Sequence, residues 1–390
     1  MNKRRTPGAR PLAFTSIVCA AAAAVLTLAP RAALADITVG ATMPLTGPGA
    51  ALGLPLRDAF QLWPAQIAGE RVNVIILDDG GDPTNATRNA QKLTTEDKAD
   101  VLAGSSITPA ALAVVRVAQE TQTPHFAFSP VELPADARWS FVIPQRVNLM
   151  AAAVVADMKA RHVRTVGFIG FNDVWGETWF KEMSRGFEGT DIKIVANERY
   201  ARADTSVTAQ TLKLVSANPD AILIGASGTG AAVPQIALKD RGYKGQIYQT
   251  HGAGSRDFLR IAGKAAEGVI LPIGPVLLPA DLPDSHPSKK AVQTFVASYE
   301  GKFGKGAPVV FGAHVYDLLQ ILERSIPIAL KTGKPGTPEF RKALRDAVET
   351  QRDVAATNGV YNYTPTDHYG LDSRGREMVE VVNGDWKILK

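Results

Sequence analysis

The chain is poor in cysteine and aromatics, and one end has no acidic residues. A single cysteine, Cys19, among 390 residues excludes a disulfide-stapled scaffold. The six histidines (His125, His162, His251, His286, His314 and His368) are scattered, with no pair at metal-ligand spacing, so no metal centre is expected. No glycine loop is followed by a Walker lysine, and Gly228-Thr229-Gly230 lacks the third glycine of a dinucleotide fingerprint, so no cofactor is expected either. Polar low-complexity tracts, a collagen period and short solenoid repeats are also missing. What remains, at 45% hydrophobic and 21% charged residues, reads as a globular chain long enough for more than one core.

The net charge of +5 is confined to the first 35 residues, which hold Lys3, Arg4, Arg5, Arg10 and Arg31 and no Asp or Glu. The rest of the chain is formally neutral, its basic residues matching its 38 acidic ones, so the basic balance does not point to nucleic acid. A basic start, an alanine-rich apolar stretch from Leu12 to Ala29, and then Ala33-Leu34-Ala35 form the pattern of a secretory signal peptide cleaved before Asp36. An N-terminal membrane anchor is the competing reading, since the run approaches the roughly 20 residues of a spanning helix; Pro30 and the small-residue site favour cleavage. Thr6-Pro7-Gly8 argues against a twin-arginine signal, and Val18 before Cys19 argues against a lipid anchor. No later stretch spans a bilayer: Val309 to Leu330 is interrupted by Asp317, Glu323 and Arg324.

From Asp36 onward, short β-branched runs alternate with helical patterns. Strands are expected at 37–41, 72–77, 101–103 and 125–128, and helices at 50–67, 83–94 and 109–121, with Asp82 and Pro83 at cap and first-turn positions. The alternation restarts with helix 149–161, strand 165–169, helix 176–188, strand 192–198, helix 205–217, strand 221–225, helix 231–241 and strand 246–250. Two α/β lobes follow, each a parallel sheet with helices on both faces. The proline-rich segment Leu271 to Pro287 reads as a connection between lobes. Three helical stretches (288–299, 311–330, 337–349) and short strands near 360–363, 378–382 and 386–389 end the chain.

Catalytic signatures fail. Gly225-Ala226-Ser227-Gly228-Thr229 resembles a nucleophile elbow, but Thr229 stands where glycine is required, so no enzyme is expected. What the loops offer is anion recognition. Gly104-Ser105-Ser106-Ile107-Thr108-Pro109 joins a strand end to a helix start, placing hydroxyls and free N–H groups at the positive end of a helix dipole. The plainer alternative is that Ser106 or Thr108 caps its own helix. The same geometry recurs at Phe128-Ser129-Pro130, and adjacent strand ends of an open α/β sheet are where ligands bind.

Taken in order, Ile37 to Gly47, the Asp78-Asp79 strand end with 83–92 after it, Gly104 to Thr108, Ser129-Pro130, Phe171 to Glu177, Ala265 to Gly268 and Val382 to Trp386 resemble the periplasmic solute-binding proteins of branched-chain amino acid ABC transporters. The resemblance implies the type I periplasmic binding protein fold: α/β, two lobes, three interlobe crossovers. The lobes would comprise residues 36–146 with 278–355, and 147–277 with 356–390. It further implies a periplasmic monomer that captures a small carboxylate by hinge closure and hands it to an inner-membrane permease. Carried over residue by residue, Ser105, Ser106, Ser129 and Val131 would hold the carboxylate from the first lobe. Trp175 stands where a tyrosine usually covers the ligand, Ser227 to Thr229 would face it unless they form an ordinary turn, and Leu52 would touch its tail. His251 stands where an acidic residue normally pairs with an ammonium, unless it is a structural strand-end histidine. An imidazole there removes the countercharge an amino acid needs, while Trp175 offers an aromatic face. These departures resemble the subgroup binding benzoate or phenylpropenoate acids. An amino-acid binder and a ligand-presenting sensor remain alternatives, as does the direction in which Glu132 faces.

Overall fold

The computed structural model describes residues 36–307 and 310–389, so the signal-peptide reading of 1–35 lies outside the described residues. The expected alternation builds two sheets. In the first, β1 (Ile37–Met43) is central and buried at every position, as a strand covered on both faces must be. It pairs in parallel with β3 (Glu70–Asp78) and β4 (Val101–Gly104). Beyond β4 come β5 (His125–Ala127) and β6 (Ser140–Val142), also parallel. The helix expected over 50–67 stops at Phe60 (α1, Ala50–Phe60). Ala68 and Gly69 then take left-handed conformations and turn β2 (Gln66–Ile67) back onto β3 as a hairpin. Helices α2 (Pro83–Thr95), where Asp82 accepts the Asn85 N–H as its cap, and α3 (Thr108–Thr121) complete the crossovers.

The second sheet runs through α4 (Val147–Ala160), β7 (Thr165–Phe171), α5 (Val174–Phe187), β8 (Lys193–Tyr200), α6 (Thr208–Ala217), β9 (Ala221–Gly225), α7 (Ala232–Asp240), β10 (Gln246–Gln249), α8 (Arg256–Ala262) and β11 (Ile270–Ile273). Strand β11 runs into the segment expected to be a connection and contains Pro272. The missing N–H is tolerated because the ladder with β10 has already ended at Ile270. Helices α9 (Lys289–Phe303), α10 (Gly312–Ala329) and α11 (Pro338–Glu349) follow, with α10 packed on α1 and α11. A short hairpin, β12 (Val354–Ala355) with β13 (Val360–Tyr361), precedes β14 (Glu377–Val382) and β15 (Asp385–Ile388), which close the second sheet as antiparallel strands. In both sheets, strands are added first on one side of the opening strand and then on the other. The order therefore reverses between β1 and β4, and between β7 and β9.

Three chain passages join the lobes, and they touch. Gln145 on the first donates from Nε2 to Asn358 O (3.0 Å), in the turn of a short hairpin spanning 354–361, and to Gly375 O (2.9 Å), on the third. Gly274 on the second lies so close that a Cβ would come within 2.6 Å of Gln145 Nε2. Residues 361–368 still lean on the first sheet: Tyr361 and Tyr363 donate to the carbonyls of Ile143 and Val142, and Val142 N–H donates to His368 O. These contacts tie residues 361–368 to the end of the first sheet, within the stretch 356–390 that the sequence assigns to the second lobe.

The first-lobe side of this hinge is fixed by Asp317 of α10. Its buried carboxylate accepts from the N–H and hydroxyl of Thr357 (both 2.7 Å), from Asn358 N–H (2.9 Å) and Nδ2 (2.8 Å), and from Tyr361 hydroxyl (2.9 Å). Asp317→Ala would leave these donors unsatisfied, and is predicted to lower unfolding free energy by about 3 kcal/mol. A urea titration that keeps its midpoint would contradict this.

Candidate functional site

The strand ends at the two reversal points face each other across the cleft. There they line a partly open pocket of about 340 Å³, its walls formed by Leu52, Ser106, Thr108, Phe128, Ser129, Pro130, Pro144, Trp175, Arg202, Ser227, His251, Gly252, Phe311 and His314. The topology dictates this location, because helix N-termini and unpaired strand-end amides converge where neighbouring crossovers diverge. Gly104 makes the turn out of β4 possible. It sits at φ 103°, and a Cβ would lie 1.9 Å from Thr42 O.

From the first lobe, Ser106 enters the cavity with its Oγ buried and unpartnered, while Thr108 Oγ1 and Ser129 Oγ share a hydrogen bond of 2.7 Å. Neither Ser106 nor Thr108 caps α3. The cap residue is Ile107, which has no side-chain hydrogen bond, so the helix start is left open to the cleft. Phe128, Phe311 and His314 add the apolar wall, with the rings of Phe128 and His314 stacked at 6.3 Å. From the second lobe, Asp173 caps α5 by accepting from Trp175 N–H (2.9 Å), which fixes the indole that follows. Trp175 and His251 pack ring against ring at 5.2 Å. Arg202 donates from Nε to Asp173 (2.5 Å) and from Nη1 to Ser227 Oγ (3.1 Å), with its guanidinium over the Phe171 ring at 4.2 Å.

Ser105, Val131 and Thr229 do not line the cavity. The Ser105 hydroxyl serves the buried Asp79 carboxylate behind the loop. Val131 belongs to a small apolar cluster with Ala111, Val115 and Val142. Thr229 sits in the 3₁₀ turn Gly228–Ala231. Phe311, His314 and Arg202 were missed by sequence reasoning. The first two arrive from a helix remote in sequence and carry no local motif, whereas Arg202, two residues beyond β8, was open to a search of every strand end. Glu132, whose direction was open, lies outside the cavity. It is exposed and pairs at 3.5 Å with Lys181 of the opposite lobe, in a wider groove of about 680 Å³ shared with Arg146 and Arg185. Such an exposed pair contributes at most about 1 kcal/mol.

Two features define the chemistry of the pocket. No lining residue is Asp or Glu. Ser106 Oγ, Trp175 Nε1, both nitrogens of His251 and Nδ1 of His314 are buried without a hydrogen-bond partner among the described residues. Each such group costs about 1–3 kcal/mol until something bonds to it. Burial holds both imidazoles neutral, pushing each pKa down to about 3, with His314 adding to the effect on His251.

Facing α/β lobes, a three-stranded hinge and polar groups awaiting a partner define a hinged ligand-binding protein. The chain belongs to the periplasmic binding protein family, whose model matches residues 36–372. It is 24% identical over 352 residues to a Leu/Ile/Val-binding protein of Rhizobium johnstonii, covering 85% of this chain and 88% of that one. An extracellular ligand-binding receptor from Rhodopseudomonas palustris HaA2 is 51% identical, with a TM-score of 0.89 over 91% of this chain and all of that one. A solute-binding protein from R. palustris solved in complex with benzoate superposes with a TM-score of 0.77 at 20% identity, covering 91% and 95% of the two chains, which is a likeness of fold.

Two outcomes follow from this geometry. Leu52 crosses the cleft to lie against Gly228 (φ 58°), where a Cβ would come 2.5 Å from Leu52 Cδ1. Gly228→Ala is therefore predicted to hinder closure and weaken ligand binding about tenfold, with partial recovery in the Gly228→Ala/Leu52→Ala pair; calorimetric titration of both variants checks this. The histidines give a pH dependence. Their depressed pKa values mean the folded form binds fewer protons than the unfolded chain, so the contribution of these two histidines to stability is constant above about pH 6.5 and falls as pH drops toward 3. Each histidine contributes up to about 1.4 kcal/mol per pH unit in that window. Urea midpoints between pH 7 and pH 5 should fall, and should fall less in His251→Asn and His314→Asn.

Proposed function

We propose that this chain is the periplasmic substrate-binding component of an ABC importer, capturing a small aromatic carboxylate by hinge closure and delivering it, as a monomer, to an inner-membrane permease. On this reading residues 1–35 are removed on export, and the lobes turn about residues 143–146, 274–288 and 369–376. No bond is made or broken in the ligand, so the protein is a binder and not an enzyme.

The observation that carries the reading is the acid-free cavity whose buried donors have no partner. An ammonium group enclosed there would meet no countercharge, since Glu132 lies outside and Asp173 is engaged by Arg202 and the start of α5. A carboxylate supplies the acceptors that Ser106 and the open start of α3 lack, as an anion at a helix N-terminus does. Trp175, Phe128 and Phe311 then face a flat apolar body.

Purified protein at ligand concentrations about 100-fold above Kd should gain about 3 °C or more in melting temperature with benzoate or cinnamate, and nothing with leucine. Ser106→Ala should weaken the acid about tenfold. Stabilisation by leucine and by neither acid would replace the aromatic-acid reading with an amino-acid one.

A further inference from the structure

We infer that Arg202 is the residue by which this cleft selects anions over neutral molecules of the same shape; the inference rests on the aromatic-acid reading above. Arg202 is the only lining residue whose side chain carries a permanent charge. The remaining donors are hydroxyls, an indole and two imidazoles that burial keeps neutral. A neutral donor bonds to an amide or alcohol nearly as well as to a carboxylate, whereas a guanidinium strengthens selectively toward charge.

The pairing of Arg202 with Asp173 does not cancel this role. Oδ2 of Asp173 takes the Arg202 Nε–H, and Oδ1 takes the N–H groups of Trp175 (2.9 Å) and Gly176 (3.4 Å), so this carboxylate is also committed to the helix start. Nη1 is committed to Ser227 Oγ (3.1 Å). Nη2 makes no hydrogen bond among the described residues, which leaves its N–H groups free for an acceptor. The stack on Phe171 and the Nε and Nη1 bonds fix the guanidinium plane in advance, so little side-chain freedom is lost when an acceptor arrives. The same contacts let Arg202 position two further lining groups: Ser227 directly, and Trp175 through Asp173.

The test compares each acid with its carboxamide, benzoate with benzamide and cinnamate with cinnamamide, by calorimetric titration. The wild-type protein should prefer the acid about 100-fold or more, and Arg202→Gln should cut that ratio at least tenfold. Arg202→Lys, which keeps the charge without the fork, should retain the larger part of it. The ratio is insensitive to a general loss of folding or closure, which weakens acid and amide together. An unchanged ratio in Arg202→Gln, whether or not both affinities fall, overturns the role of Arg202 and leaves the aromatic-acid reading standing. If Arg202→Gln does not fold, Arg202→Met takes its place: a ratio cut at least tenfold supports the role of the charge, and an unchanged ratio overturns it. Wild-type protein that binds neither acid overturns both.

Discussion

One buried carboxylate, that of Asp317, holds the segment on which the contact between the interlobe passages depends. Asp317 is buried beneath the β12–β13 hairpin and gathers the donors of Thr357, Asn358 and Tyr361. By fixing Asn358 it also fixes one acceptor of Gln145, whose amide ties the first passage to the third. The same helix carries His314 one turn earlier, on the face it shares with Asp317. Hinge contacts and cleft wall on the first lobe are therefore carried by one helix.

Those strand ends bring a different kind of order. Around Arg202, the cap of α5, the hydroxyl of Ser227 and the Phe171 ring are held by one guanidinium. Since Asp173 is also the cap, the position of Trp175 depends on the electrostatics of its helix start as much as on packing. The first lobe offers an uncapped helix and hydroxyls, while the second offers rings and a fixed cation. Neither face alone completes a site.

The alternation of strand and helix was legible because apolar runs bounded by turn residues give the period away, and most elements fall within a few residues of where patterning puts them. Failures came where local signals compete with tertiary ones. The run through Ile67 kept a helical look, although the Ala68–Gly69 turn makes it a hairpin arm. Pro272 read as a breaker, although its missing N–H faces no ladder partner. In the site, Ser106, Thr108, Ser129, Trp175, Ser227 and His251 converge because each sits within a few residues of the end of a strand of the parallel array, and Leu52 joins them from the first turn of α1. Ser105 pointed the wrong way because alternate residues of an extended loop face opposite sides. Phe311 and His314 could not be read at all, since their place depends on a long-range helix contact.

The buried donors bear on timing as well as affinity. A shut but vacant cleft would hold its indole, imidazole and hydroxyl groups dry and unbonded, a combined penalty of several kcal/mol against a single weak ion pair across the rim. Water in an open cleft removes that penalty, and so does cargo in a closed one. The shape of the molecule thus becomes a report of its occupancy: any surface that recognises only the shut form is screened from empty copies by the solvation of a few side chains.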